Sequence, residues 1–225
     1  DEEIVSEFQK VASSSKGIVI QNSNYPLMEN VSSDSAKKKI EYGPKSTIGP
    51  KNVKYLDEDR VEFGLVLGES EVSFETNIYG EHNILNLSAV IILAYEKGFS
   101  IEKIKMAVKR LSLVRRRQEV IGTLNDALVI DDFAHHPTAI DFTLRAMKRR
   151  YRDKQIVALF EPASATARSN LFEKRFIEAL SLANKVIVIE PSRKTTVKAA
   201  ENISIENIVL SLQKMGKVCT SVGQL

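Results

Sequence analysis

ALVIDDFAHHPTAIDFTLRAMKRRYRDKQIVALFE, residues 127–161, decides the fold. ALVIDD is a short apolar run that ends on two acids. PTAIDFTLRAMKRRY opens on Pro137, which lacks the N–H that would go unsatisfied in a first helical turn, and sets Ile140, Leu144 and Met147 at helical spacing as a buried stripe. QIVALFE is apolar and strand-like again. Strand, helix and strand in that order make a crossover between parallel strands.

The alternation continues downstream with a helix over residues 170–183, the strand KVIVIE, the helix IENIVLSLQKMG and the short strand KVCTSV. Helices of this length between strands predict right-handed crossovers and a mostly parallel sheet covered on both faces. This is an α/β, Rossmann-like domain, and it places a boundary near residues 112–114. Upstream the pattern differs. Ile4, Val5, Phe8, Val11 and Ala12 recur at helical spacing and predict an amphipathic helix, followed by a buried strand over residues 17–20. KKKIEYG, NVKYLDED, RVEFGLVLG and SEVSFETNIYG predict strands and hairpins at a domain edge. NILNLSAVIILAYEKG is apolar nearly all round and predicts a buried helix stopped by Gly98, and Ser100 caps a further helix, IEKIKMAVKRL.

The chain has 225 residues, 43% hydrophobic and 27% charged, which is the balance of a globular protein of one large or two modest domains. Two domains fit best. The net charge of +3 selects no partner, and the basic runs at residues 37–39, 115–117 and 148–150 are separate. Without an aromatic platform or a recognition-helix pattern they argue against nucleic acid. The single cysteine, Cys219, excludes an internal disulfide framework and any multi-cysteine zinc site, and a cytoplasmic home fits. No apolar run approaches the roughly 20 residues of a membrane helix, and Asp1, Glu2 and Glu3 are the opposite of a signal peptide. A helix-like start without Met and an end on SVGQL lead us to expect a fragment.

In a doubly wound sheet, ligands sit beyond the carboxyl ends of the strands. DDFAHHP, EPASATARSN and EPSRKTT leave such ends. His135 and His136 stand where free N–H groups and the helix dipole attract anions, phosphate above all, and Asp132 can accept from a ribose hydroxyl. A plainer reading makes one histidine a helix cap and one acid the holder of Arg117. A metal cage of Asp131, Asp132, His135 and His136 is disfavoured, because adjacent strand residues point to opposite faces. In GEHNILN, Asn83 and Asn86 share a helix face where two amides can pair with a purine edge, unless they merely cap the helix. In RRRQE, residues 115–119, the guanidinium groups can clamp phosphate or carboxylate oxygens, unless the run is a solvated linker. G-x-G-x-x-G is absent. The segment YGPKSTIG only imitates a P-loop, with Pro44 between glycine and lysine and Lys38 where the first glycine should stand.

Taken in order, GEHNILN, RRRQE and DDFAHHPTAI resemble the second half of a Mur ligase, a family of ATP-dependent amide-bond-forming enzymes of bacterial peptidoglycan metabolism. The resemblance covers nearly the whole chain and is strongest over residues 80–172. It implies that residues 1–112 are the later part of a central ATP-binding domain and residues 113–225 most of a Rossmann-like C-terminal domain. The UDP-binding domain and the P-loop would precede residue 1. It further implies that His82, Asn83 and Asn86 lie about the adenine, that Arg117 meets the terminal phosphate and Asp132 the ribose, and that His135 and His136 border the reacting phosphate and the incoming amine. Magnesium would bridge the phosphates, with no metal ligands assigned to the protein.

DDFAHHPTAI followed by FEPASATARSNLF is most similar to the branch that recycles cell-wall peptide, joining L-Ala-γ-D-Glu-meso-diaminopimelate to UDP-N-acetylmuramate through an acyl phosphate. On that resemblance Ser164, Thr166, Arg168 and Asn170 bind the peptide's carboxylates, while Ala163 departs from a usual arginine. The branch that adds a single L-alanine to the same sugar nucleotide shares the DD-aromatic-AHHP loop and is the alternative. Its corresponding loop tends to an FQP segment rich in histidine and arginine. Glutamate addition to folates is more distant, because its loop carries a small residue where Phe133 stands. From another class, the chain could be a non-catalytic nucleotide-binding module.

Overall fold

The computed structural model describes residues 2–32, 34–190 and 202–223. Of the three polar loops, EPSRKTT lies outside the described residues after Glu190. The chain divides into two compact units, Asp1–Ser112 and Leu113–Leu225.

In the first unit the elements run α1 (Glu2–Ser14), β1 (Ile18–Asn22), a 3-10 turn (Pro26–Asn30), β2 (Lys38–Tyr42), β3 (Lys51–Tyr55), β4 (Val61–Leu67), β5 (Ser70–Thr76), α2 (Glu81–Glu96) and α3 (Ile101–Arg110). Strands β3, β4 and β5 form an antiparallel meander whose inward residues, Val61, Phe63, Leu65, Val72 and Phe74, are buried, with the Phe63 and Phe74 rings 5.8 Å apart. Helix α3 lies against β5, and Ser100 caps it by accepting from the Lys103 N–H at 3.4 Å. Gly98, with φ +84°, ends α2 as its position predicts.

Three expectations change here. KKKIEYG is not half of a hairpin: β2 runs parallel to β1, and the long connection through the 3-10 turn gives the chain room to come back in the same direction. Helix α2 is buried on one side only, through Ile84, Leu87, Ser88, Ile91 and Ile92, while Val90 is 60% exposed. Helix α1 forms where its period predicts, but Ile4, Phe8 and Val11 are exposed and Ala12 alone is buried. Helical spacing records which residues share a side, not what covers it. The P-loop look-alike is a closed turn, with the Gly43 N–H on the Ile48 carbonyl at 2.9 Å and Gly49 packed so tightly on the Gly43 backbone that a Cβ there would clash.

The second unit holds β6 (Glu119–Leu124), β7 (Ala127–Asp131), α4 (Pro137–Arg150), β8 (Val157–Phe160), the short α5 (Ala165–Arg168), a 3-10 turn (Asn170–Phe172), α6 (Glu173–Leu180), β9 (Lys185–Ile189), α7 (Ile205–Lys214) and β10 (Val218–Val222). A parallel sheet of order β10-β9-β8 carries Phe160, Val186, Val188 and Cys219 on the face that meets Ile140 and Leu144 of α4, Phe176 and Leu180 of α6, and Ile208 and Leu212 of α7. The α/β class and the parallel sheet are as expected. Three details differ. ALVIDD is not the first strand of that sheet; it pairs antiparallel with EVIGTL through a two-residue turn, a hairpin absent from the sequence reading. The helix over residues 170–183 is two pieces, the 3-10 turn and α6, and the short α5 stands before it. Among the described residues only one sheet face is covered, because α4, α6 and α7 all pack there and leave Val157, Leu159 and Val218 exposed on the other.

Candidate functional site

The segment following β7 is laced to RRRQE. The Asp132 carboxylate accepts from the Gln118 N–H at 2.9 Å, the Ala134 N–H at 2.8 Å and the Thr143 hydroxyl at 3.3 Å. Phe133 donates its N–H to the Arg116 carbonyl at 2.7 Å. Asp131 points elsewhere and accepts from Arg116 Nε at 3.2 Å. The two acids thus have separate partners. Arg116, with φ 60°, and Gln118, with φ 49°, take left-handed backbone to make the lacing. Arg116 and Arg117 lie over the Phe133 ring, their guanidinium carbons 5.0 and 5.9 Å from its centroid. Arg116 is the paired arginine; Arg117 is exposed and forms no ion pair among the described residues. The acid that holds an arginine is therefore Asp131, and the arginine held is Arg116, not Arg117.

The two histidines are set apart by their hydrogen bonds. His135 Nδ1 stands 2.9 Å from the Phe133 carbonyl oxygen, which can only accept, so Nδ1 carries the proton and Nε2 of the neutral ring is a lone-pair base. His136 caps α4: its Nδ1 accepts from the Thr138 N–H at 3.3 Å, so Nε2 carries the proton. Burial, then the positive charge of Arg175, then His135, hold the His136 imidazole below its ordinary range. One ring presents an acceptor and the other a donor. The His136 ring meets the edge of Phe172 at 5.1 Å, which ties the DDFAHHP loop to the segment after β8.

In that segment Ser164 accepts from the Ala167 N–H at 3.1 Å and starts α5. Arg168 is 9% exposed and its Nε donates to the Pro162 carbonyl at 3.1 Å, so it braces the loop. Asn170 and Ala163 are exposed. Thr166 lies in α5, its side chain outside those described. In the first unit, Gly80 takes φ +99° to open α2. Asn83 Nδ2 donates to the Tyr79 carbonyl at 2.8 Å and keeps its amide oxygen available, His82 is half-buried, and Asn86 is exposed one turn on.

The model of the family described as Mur ligase, glutamate ligase domain, matches residues 116–222. These residues belong to the Mur ligase C-terminal domain family. UDP-N-acetylmuramate–L-alanine ligases are similar: that of Streptococcus thermophilus is 36% identical over 159 residues, 70% of this chain and 34% of the relative, and that of Desulfitobacterium hafniense 32% over 165 residues, 70% and 36%. The chain spans about a third of the length of these curated relatives. Among solved structures, the UDP-N-acetylmuramate–alanine ligase of Thermotoga maritima superposes with a TM-score of 0.77 at 22% identity, covering 99% of this chain and 46% of that one. The murein peptide ligase of Psychrobacter arcticus superposes with a TM-score of 0.63 at 23% identity, covering 99% and 47%. The α/β fold is that of Mur ligases.

Within this Mur ligase C-terminal domain, sequence reasoning missed the groups that hold the site in shape. Gln118 is 6% exposed, and its side-chain amide has no partner among the described residues. Thr143 and Phe172 sit inside predicted helical stretches, where period alone gives no reason to single them out. Arg175 donates to the Thr138 hydroxyl at 2.9 Å and lies 5.8 Å from the Phe172 centroid. Its only sequence signal was a basic residue one turn into a helix.

Proposed function

We propose that the full-length protein is an ATP-dependent ligase that activates the lactyl carboxylate of UDP-N-acetylmuramate as an acyl phosphate and joins it to the amine of L-Ala-γ-D-Glu-meso-diaminopimelate, in peptidoglycan recycling. The observation that carries the reading is the pair of histidines with opposed ring hydrogen bonding, on a loop of a Mur ligase C-terminal domain whose Phe133 ring meets both His135 and Arg117. Residues 1–112 would be the later part of the central ATP-binding domain. Groups in each unit, taken separately, suit parts of ATP. Asn86 is exposed and its side chain makes no hydrogen bond among the described residues, and with the Asn83 amide oxygen it can pair with a purine edge. His82 would border the adenine. Asp132 accepts three hydrogen bonds, and a carboxylate has about four lone-pair sites, leaving one for a ribose hydroxyl. ATP would supply the phosphoryl group and magnesium would neutralise phosphate charge through phosphate oxygens.

The protein's own part is then positioning and charge. Arg117 would stabilise the terminal phosphate, His136 Nε2–H would donate to the reacting oxygen, and His135 Nε2 would take a proton from the incoming ammonium. The FEPASATARSN loop supports the tripeptide as the amine, with Ser164, Thr166, Arg168 and Asn170 shaping its pocket. The second reading, L-alanine as the amine, is favoured by the activity of the L-alanine ligases that are 36% and 32% identical. Phosphate release by the full-length protein with ATP, UDP-N-acetylmuramate and either tripeptide or L-alanine decides. Tripeptide-dependent release is expected, release with L-alanine alone establishes the second reading, and release with neither overturns both and leaves a nucleotide-binding module.

A further inference from the structure

The loop after β8 is short of cations for an amine substrate that carries carboxylates. Ala163 is uncharged, and Arg168 is buried with its Nε on the Pro162 carbonyl. Before that loop, Arg116 is paired with Asp131. We propose that Arg175 receives a carboxylate of the incoming amine substrate and selects for it, an assignment that rests on the ligase reading above.

Arg175 is exposed but not loose. The Thr138 hydroxyl accepts from its Nη2 at 2.9 Å, and its guanidinium carbon lies 5.8 Å from the centre of the Phe172 ring, whose other neighbour is His136 at 5.1 Å. Phe172 therefore holds the guanidinium and the imidazole in one fixed relation. Neither nearby acid of α6 is paired with it among the described residues. Glu173 accepts from the Ser204 N–H at 2.7 Å and the Asn207 amide at 2.5 Å, and Glu178, at the i+3 position, makes no ion pair with Arg175. Among the described residues no carboxylate pairs with it. One of its five N–H groups is used by Thr138, which leaves a planar fork suited to a carboxylate. A cation held in place by a hydroxyl and a ring, and left without an anion, has already met the ordering cost of binding one.

Three anions could meet this fork, namely a carboxylate of the amine substrate, the lactyl carboxylate and an ATP phosphate, and kinetics separates them. The full-length protein is compared as wild type, Arg175→Gln and Arg175→Lys, with KM measured for ATP, UDP-N-acetylmuramate and the amine substrate. The amine substrate is also supplied with each carboxylate amidated in turn. For Arg175→Gln we expect the amine KM to rise roughly ten- to hundredfold, the range for a lost charge-assisted hydrogen bond. The KM values of the other two substrates should stay within about twofold. Arg175→Lys should fall between the two. One amidation should cost the wild type a similar factor and cost Arg175→Gln nothing further, a coupling that a purely structural role does not produce. An unmoved amine KM, or a rise confined to ATP or UDP-N-acetylmuramate, overturns the assignment. If Arg175→Gln does not fold, the same comparison is made with Arg175→Lys, whose equal loss on every amide overturns it. Absence of turnover by the wild type overturns the ligase reading itself, whereas turnover with an unmoved KM overturns only Arg175.

Discussion

Arg116 and Arg117 are chain neighbours, yet the Asp131 carboxylate takes Arg116 and leaves Arg117 over the Phe133 ring with no acid among the described residues. A paired guanidinium is half neutralised, and an unpaired one keeps its field for an incoming phosphate. Arg117→Ala in the full-length protein should lower turnover by roughly 10²- to 10³-fold, the cost of one transition-state donor, and phosphate release near the wild-type rate would remove Arg117 from the mechanism. His136 carries a second consequence. Its folded pKa is depressed, so the folded chain binds that proton only at lower pH than the unfolded chain does. The stability it contributes is whole above its ordinary value of 6.5 and is lost as pH falls from there through the folded pKa. Thermal midpoints measured at about pH 7.5 and about pH 5.5, on either side of the ordinary imidazole value, should therefore fall less in His136→Asn than in the wild type. Asparagine keeps a helix cap without a titrating ring. An equal fall in both proteins would show that His136 is not the group that titrates.

At the scale of elements, the β6–β7 hairpin turns through Asn125 and Asp126, both left-handed at φ 47° and 65°. A two-residue turn of this kind matches the twist of the strands it joins, and asparagine followed by glycine is its preferred pair. Asp126→Gly is expected to stabilise the second unit by up to about 1 kcal/mol, and Asp126→Val to destabilise it by about 1–2 kcal/mol, because a branched side chain resists left-handed backbone. Urea unfolding midpoints in the order Gly, Asp, Val would agree; no difference among the three would mean that the turn relaxes. Asn125-Asp126 was a readable turn signal, yet EVIGTL has no clean alternation, so the strand before it went unseen. The helix start at Pro137 was readable because a proline and a preceding cap act within one turn.

Over the molecule as a whole, each unit buries its own core, and the second is centred on Phe176, which is 0% exposed among Phe160, Leu180, Val188 and Leu212. Phe176→Ala should cost about 3–5 kcal/mol, since the cavity closes only in part. Cys219 reports on it. The thiol is buried against the same cluster and burial raises its pKa, so a thiol reagent reaches it only when the unit opens. Labelling under native conditions should accelerate at least about a hundredfold in Phe176→Ala. An unchanged rate would mean that Cys219 is exposed by a local opening that leaves this core intact.

The sequence by itself determined the types of most elements, the parallel α/β character of the second half, the loops that carry charge and the order of motifs that a Mur ligase shares. These depend on periods of two and 3.6 residues and on short-range turn and cap chemistry, which a linear string displays directly. Only the tertiary structure decided that Asp131 chooses Arg116, that β7 pairs with β6, that α1 and part of α2 stay uncovered, and that Arg175 stands fixed beside Phe172. Those outcomes depend on which side chains approach from distant parts of the chain. Among several residues of the same charge or hydrophobicity, spacing alone does not rank the partners; distance and burial do.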